Sequence, residues 1–295
     1  MDTVLAVDLG GTKTASAAID EWGGIASKVK EPAAHSLEST VNQIAQAVER
    51  TNASVIGIIL PGIYTRQTGV AWAPNLWGRD EVPLRDLLAS RLSIPAVIES
   101  DRSGYVLGEQ WLGAARGLGD VVFLAVGTGI GVGILSGGRL ITGAHGISGA
   151  AGWFALDPRW KDEYAQVGCW EAESAGPALA RHAGMPSAEA VVGAARGGDP
   201  RAQAALDSAA DYLGMGIANV ISLLNPEMVV LGGGLMQGLA QAGDLLLERI
   251  RTGVARWAQP IAAGKAAIEL TTLGEDAGLL GAARLAFLHT GTHKE

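Results

Sequence analysis

An α/β protein that uses one strand–turn–strand unit twice is the fold class this sequence predicts, and three stretches predict it. Val4-Leu5-Ala6-Val7 runs into Asp8-Leu9-Gly10-Gly11-Thr12-Lys13-Thr14, and a second apolar run follows. Residues 121–135 repeat the pattern, with Gly127-Thr128-Gly129 between two apolar runs, and residues 228–231 end in Gly232-Gly233-Gly234. Strand, tight glycine turn and returning strand is the reading of each hairpin.

Apolar alternation predicts a meander of strands over 3–9, 14–19 and 25–30. Residues 39–50 place Val41, Ile44, Ala45 and Val48 on one helical face. The buried run 55–60 is a strand stopped by Pro61-Gly62. Helices over 83–92 and 101–111 flank a short strand at 96–98. The order βββαβαβα calls for a mixed sheet with helices against it. The pattern then restarts with strands at 121–126 and 130–135 and a third near Arg139. Helices over 171–183, 187–195 and 200–224 follow, then a strand at 228–231, a helix to about Trp257, a strand at 267–270 and a closing helix from Ala277. Two halves opening on the same hairpin predict duplication around a shared cleft, with a boundary near 113–119.

The chain has 295 residues, enough for two cores of ordinary size. A net charge of −8 without a dense Lys/Arg cluster argues against a nucleic-acid surface. The single cysteine, Cys169, excludes an internal disulfide framework and fits a reducing, cytoplasmic setting. No basic stretch followed by an apolar one opens the chain, so a secretory signal is not expected. The longest apolar run, 121–135, is broken by four glycines and is too short to span a membrane.

Three constellations carry chemistry. Gly10-Gly11-Thr12-Lys13 and Gly127-Thr128-Gly129 present backbone N–H groups suited to phosphate oxygens, and Gly232-Gly233-Gly234 allows close approach of an adenosine. Asp8 is placed to orient Mg²⁺ through water, since Mg²⁺ keeps most of its aqua ligands. Structural turns are the alternative reading of each. Glu99-Ser100-Asp101-Arg102 lies between a strand and a helix. Asp101 is there either a helix N-cap or the base that takes a hydroxyl proton during phosphoryl transfer. Glu171, in Gly168-Cys169-Trp170-Glu171, is either a helix-start carboxylate or an acceptor for sugar hydroxyls. Trp72, Trp77, Trp153, Trp160 and Trp170 are core or an apolar wall. His145 stands alone in a glycine-rich loop and reads as a loop histidine rather than a metal ligand.

These residues together resemble the ROK family of bacterial sugar kinases and repressors, within the actin/hexokinase-like ATPases, through almost the whole chain. Asp8 to Lys13 resembles the D-x-G-G-T-K phosphate motif. Leu60-Pro61-Gly62, Gly69 and Ala73-Pro74-Asn75-Leu76-Trp77-Gly78 resemble the sugar-side segment. Asp101 with Leu107-Gly108-Glu109 resembles N-D-A-N-x-x-x-x-G-E, and the two later glycine stretches resemble the second phosphate and adenosine motifs. The resemblance implies a two-domain actin-like, ribonuclease H-like fold. Residues 1–115 would form a sugar and phosphate lobe with helix 277–291 packed back on it, and residues 116–276 a nucleotide-binding, dimerising lobe. It also implies ATP and Mg²⁺ as cofactors, a homodimer, and a sugar held by Gly62, Asn75, Ser100, Asp101, Trp153 and Glu171.

The departures bear on specificity. The family zinc motif C-x-C-G-x-x-G-C-x-E reads here as residues 162–171 with Cys169 the one thiol, and Trp153 stands where G-E-x-G-H has histidine. No structural zinc is expected. Ser100 replaces the asparagine before Asp101, and Ala150 the glutamate of G-E-x-G-H. A site without those groups loses discrimination for the hydroxyls they read. The expectation is an ATP- and Mg²⁺-dependent kinase of a hexose or an amino- or N-acyl-modified hexose, acting at the 6-hydroxyl. The alternative is a catalytically inactive, ROK-like sugar-sensing protein.

Overall fold

Strand β1 (Thr3–Leu9) turns back antiparallel on β2 (Lys13–Asp20), which pairs antiparallel with β3 (Ile25–Pro32). Helix α1 (Leu37–Glu49) leads to β4 (Ile56–Leu60), parallel to β1. A small hairpin, β5 (Ile63–Thr65) and β6 (Val70–Trp72), is followed by α2 (Pro74–Trp77) and α3 (Leu84–Arg91). Strand β7 (Ala96–Ser100), parallel to β4, then runs into α4 (Asp101–Leu112). The sheet order is β3-β2-β1-β4-β7. This computed structural model describes residues 3–237 and 241–291.

A second sheet repeats the scheme with β8 (Val121–Val126), β9 (Ile130–Ser136), β10 (Arg139–Leu140), β11 (Met228–Gly232) and β12 (Ala267–Leu270). Its order, β10-β9-β8-β11-β12, carries the same senses at each step: antiparallel, antiparallel, parallel, parallel. The expected mixed sheets flanked by helices are therefore observed, and in duplicate. Between β10 and β11 come α5 (Tyr164–Val167), α6 (Cys169–Ser174), α7 (Gly176–Ala183), α8 (Ala188–Arg196) and the long α9 (Pro200–Leu224). Helices α10 (Gly243–Trp257) and α11 (Pro260–Ala263) precede β12, and α12 (Ala277–Thr290) closes the chain. Part of the helix expected directly after Gly234 falls on 238–240, outside the described residues; α10 starts at Gly243. Among the described residues no helix is long and apolar enough to cross a membrane.

One helix expected over 171–183 is two. Ala175 is extended, and Pro177, in the first turn of α7, lacks the N–H a continuous helix would need. The break turns the Gly176 amide onto the Gly127 carbonyl at 2.8 Å. The hairpin β5–β6 is not expected from the sequence, because three-residue strands are too short for a periodic signal.

The chain separates into two compact units. The first holds the chain up to Arg116, Thr142–Ser148 and the stretch from Glu275; the second holds Gly117–Ile141 and Gly149–Gly274. In the first, β4 is buried along its whole length because both faces are covered. Ile56, Ile58 and Leu60 pack with Val41 and Ile44 of α1 and Leu84 and Leu88 of α3. On the other face a Cβ at Gly57 would lie 1.9 Å from the Ala282 carbonyl oxygen, so α12 rests directly on the strand backbone. Helices α4 and α12 are equally close. A Cβ at Gly281 would meet the Gly104 oxygen at 1.9 Å, and one at Gly108 the Ala277 oxygen at 2.8 Å. Gly108 of the Leu107-Gly108-Glu109 segment is thus a packing residue. The second unit's core spreads from Val122, Leu124 and Leu231 to Leu213, Ile217 and Ile221 of α9 and Leu246 and Ile250 of α10.

Candidate active site

In the first unit the ends of β1 and β7 bring two carboxylates together. Asp8, half-buried near the end of β1, has its pKa pushed up to about 7 by burial and then by the Asp101 charge, against an opposing pull from Lys30. Its Oδ2 lies so close to α12 that a Cβ at Gly278 would stand 2.0 Å away. Asp101 is the first residue of α4 rather than its cap. Ser100 holds the N-cap position without a side-chain cap bond, and Asp101 Oδ1 accepts the Arg102 amide at 2.7 Å. Burial raises Asp101 to about 6, with Arg102 opposing through that bond and its charge.

Tyr105, one helical turn beyond Asp101, feels both acids, and burial together with the two charges holds its hydroxyl well above the usual phenol range. Glu99 is buried and paired with Arg66. Ser100 is buried too, and its hydroxyl meets that of Ser103 at 3.1 Å. Sequence reading passes over Tyr105. Its spacing of four from Asp101 is the available signal.

The first glycine turn is tight: the Gly10 amide donates to the Lys13 carbonyl at 2.9 Å, and Thr12 and Lys13 are exposed. A Cβ at Gly11 would touch Asn75 Cβ at 3.6 Å, so the turn and Asn75 adjoin. Gly62 backs onto the Trp72 carbonyl, where a Cβ would fall 2.1 Å away.

In the second unit Gly127-Thr128-Gly129 closes β8–β9, with the Gly127 amide donating to Gly129 at 3.0 Å. Gly233, at φ +92°, lies where a Cβ would meet the Val126 oxygen at 2.6 Å, and a Cβ at Gly127 would approach the Gly234 nitrogen at 3.4 Å. The Gly127-Thr128-Gly129 turn and the glycine triplet are therefore neighbours. Glu171 joins them: its Oε2 accepts the Ile130 amide at 2.8 Å, and Gly129 and Gly152 pack on its carboxylate. Burial raises its pKa, with that hydrogen bond opposing. Trp153 is exposed on a 3₁₀ turn, Ala151–Trp153, beside Gly168. Trp170 is core, stacked on Phe154, and Trp77 donates its indole N–H to Thr40 at 2.9 Å.

The segment that departs from the zinc motif is organised by Glu173. This buried carboxylate accepts from Lys161 and from the Tyr164 hydroxyl, with His182 at 3.7 Å. Burial pushes its pKa up, but those donors more than offset it and leave it below the usual value. Among the described residues no group of three or more His, Cys, Asp or Glu stands ready to hold a metal.

Two sheets of one topology, each opened by a glycine turn at the end of its central strand, define an actin/hexokinase-like ATPase fold. The chain belongs to the ROK family, whose profile matches residues 4–288. It is 33% identical over 309 residues to a glucokinase of Thermotoga maritima, covering 96% of each chain. It superposes on the ROK hexokinase of Thermus thermophilus with TM-score 0.85 and 33% identity, over 99% of this chain and 100% of that one. A ROK glucokinase of Streptomyces griseus, solved with glucose and AMPPNP, matches at TM-score 0.79 and 30% identity, over 97% of this chain and 99% of that one.

Proposed function

We propose that this protein is a sugar kinase that transfers the γ-phosphoryl group of ATP to the 6-hydroxyl of a hexose or an amino- or N-acyl-modified hexose. The observation that carries the reading is the pair of raised-pKa carboxylates, Asp8 and Asp101, set at strand ends beside a glycine turn. Asp101 is the general base. The acceptor oxygen forms its bond to the γ-phosphorus as the bond from that phosphorus to the β,γ-bridging oxygen breaks. The hydroxyl proton passes to an Asp101 carboxylate oxygen, and ADP leaves. The shifted pKa suits a group that must be ionised near neutrality yet accept a proton as charge develops.

In the first unit, Gly10, Gly11, Thr12 and Lys13 hold phosphate oxygens, and Gly62, Asn75 and Ser100 hold the sugar with Asp101; Ser100 acts through its Ser103-linked hydroxyl. In the second, Gly127, Thr128 and Gly129 hold phosphate, Gly232, Gly233 and Gly234 border the adenosine, and Glu171 and Trp153 meet the sugar. Asp8, crowded and costly to ionise alone, fits a neighbouring cation held through water. Mg²⁺ there would neutralise phosphate charge. A cytoplasmic homodimer is part of the same reading, by family likeness.

Coupled ADP release on glucose, mannose, glucosamine and their N-acyl forms tests it. Sugar-dependent ADP release from the wild type, lost in Asp101→Asn, is the expected result. Silence on every sugar with ATP still bound would favour the sugar-sensing alternative.

A further inference from the structure

Helix α6 carries Glu171, yet at six residues it is too short to hold its own orientation. Its first anchor is Trp170, fully buried in the core of the second unit, where a Cβ at Gly216 of α9 would stand 2.2 Å from the indole. The indole N–H meets no acceptor among the described residues, so this anchor is apolar alone. An anchor at one residue leaves the helix free to turn about it. That turning would swing the Glu171 carboxylate off the Ile130 amide, from which it accepts at 2.8 Å. A second fixed point is needed further along the helix.

Glu173 supplies it. Its buried carboxylate accepts from Lys161, in the loop before α5, and from the Tyr164 hydroxyl at the start of α5, while His182 Nε2 of α7 stands 3.7 Å away. Three neighbouring segments thus converge on one residue of α6. Tyr164, Cys169 and Ala172 form only a small apolar cluster of their own. Hydrogen bonds therefore supply rigidity that packing does not.

Two residues apart, Glu171 and Glu173 leave α6 on opposite sides, so Glu173 acts on Glu171 through the helix and not by touching its ligand. The corner between α5 and α6 passes on the same constraint. Gly168, at φ +83°, lies where a Cβ would meet the Gly152 oxygen at 2.4 Å, and a Cβ at Gly152 would meet Glu171 Oε2 at 3.0 Å.

We propose that Glu173 is a positioning residue for Glu171: by gathering Lys161, Tyr164 and His182 it sets the rotation of α6 and aims the Glu171 carboxylate at the acceptor sugar. The proposal deepens the sugar-kinase reading and rests on it for the role of Glu171.

Two measurements on the full chain test it. The first is the NMR chemical shift of the Ile130 amide proton, which follows the Glu171 bond with no ligand present and is insensitive to a mere loss of stability. In Glu173→Leu it should move toward its position in Glu171→Ala, and Glu173→Gln, which still accepts from Tyr164, should fall between wild type and the leucine variant. Tyr164→Phe and Lys161→Met remove the donors singly from the other side, and they decide the matter if Glu173→Leu does not fold. The second is coupled ADP release on glucose, mannose, glucosamine and N-acetylglucosamine. The sugar KM should rise about tenfold in Glu173→Leu and Tyr164→Phe, with the ATP KM and kcat within about twofold of wild type. A moved Ile130 shift together with a raised sugar KM upholds the proposal. A moved shift without turnover by any of these proteins, wild type included, upholds the positioning of Glu171 and sinks the kinase. An active enzyme whose sugar KM is unmoved overturns the proposal and leaves the kinase. An Ile130 shift unmoved in folded Tyr164→Phe and Lys161→Met overturns it whatever the turnover.

Discussion

The two sheets follow one strand order, but the residues at corresponding strand ends differ in kind. Ahead of its turn the first sheet has Asp8-Leu9 and the second Ala125-Val126. The strand next to the opening one runs into Pro61-Gly62 in the first unit and into Gly233-Gly234 in the second. The outermost parallel strand of the first unit, β7, runs into Asp101, while β12 runs into Thr271, whose amide donates to the Leu231 carbonyl at 2.9 Å. One copy has collected carboxylates, the other bare backbone and one glutamate. Carboxylates move protons and steady cations, whereas neutral N–H groups hold phosphate without demanding countercharge. The scaffold is the same in both sheets, and under the proposed reading the division of labour lies at the carboxyl ends of the strands, where open α/β sheets place their ligands.

The strongest test of that division removes the proton acceptor from the first copy. Asp101→Asn keeps the Arg102 amide bond available to its side-chain oxygen but cannot take a proton. It is expected to lower kcat about 10²–10⁴-fold, with nucleotide affinity by calorimetry unchanged. The matching test in the second copy is Glu171→Ala against Glu171→Gln. Alanine strips the Ile130 amide of its acceptor and the sugar of a partner, and should lower kcat/KM about 10–100-fold, in line with about 1.5–3 kcal/mol for a charged hydrogen bond. Glutamine can still accept from Ile130, so it should recover part of the loss. Equal effects for the two variants would mean that Glu171 acts by charge alone.

Much of this division is legible in the sequence, because the glycine turns are local and a turn needs only its own residues. Nearly every long strand and helix falls within a few residues of its expected place for the same reason. What stays hidden depends on distant partners. Gly104 and Gly281 are unremarkable in the chain until α12 returns to α4. The Glu173 cluster joins Lys161, Tyr164 and His182 by side-chain reach rather than by motif spacing. The Arg102–Gly146 bond joins residues 44 positions apart and leaves no local signal in the sequence.

Those hidden partnerships give the next two tests. Gly281→Ala forces a methyl against the Gly104 carbonyl beneath both acids of the first unit, and should destabilise by about 1–3 kcal/mol, as overpacking does. A thermal melt measures it, and kcat should fall as well because Asp101 opens α4 and the Asp8 carboxylate lies against α12 at Gly278. In the second unit, Glu173→Gln weakens the bonds from Lys161 and Tyr164, at an expected cost of about 1–2 kcal/mol. The wild-type Glu173 pKa is lowered, so its contribution is present above the ordinary glutamate range and is lost as pH falls through the folded value. The stability gap between the two proteins should therefore narrow below about pH 4.5. EDTA should leave the wild-type Tm unchanged, since this cluster of side chains occupies the motif's place.

The last effect has the opposite sign. Asp8 is raised from 3.8 to about 7, so between those values the folded chain holds a proton that the unfolded chain has released. Stability then falls as pH rises through that interval, because burial first, and then the Asp101 charge, make ionising Asp8 cost more in the folded state than in water. Asp8→Asn removes the cost. It should be more stable than wild type by about 1–2 kcal/mol at pH 8, a discounted share of the full shift because Asp8 is only half-buried, and should converge with it near pH 4. The same variant should lose turnover, since the charge that burdens the fold is the one assigned to the cation. Urea melts at both pH values, without Mg²⁺, decide it. A variant less stable than wild type at pH 8 would show that the Asp8 charge is already balanced within the first unit, by Lys30 or by the first turn of α12. The contrast between an acid-bearing copy and a neutral one would then be a difference of ligands alone, without the stored electrostatic cost inferred here.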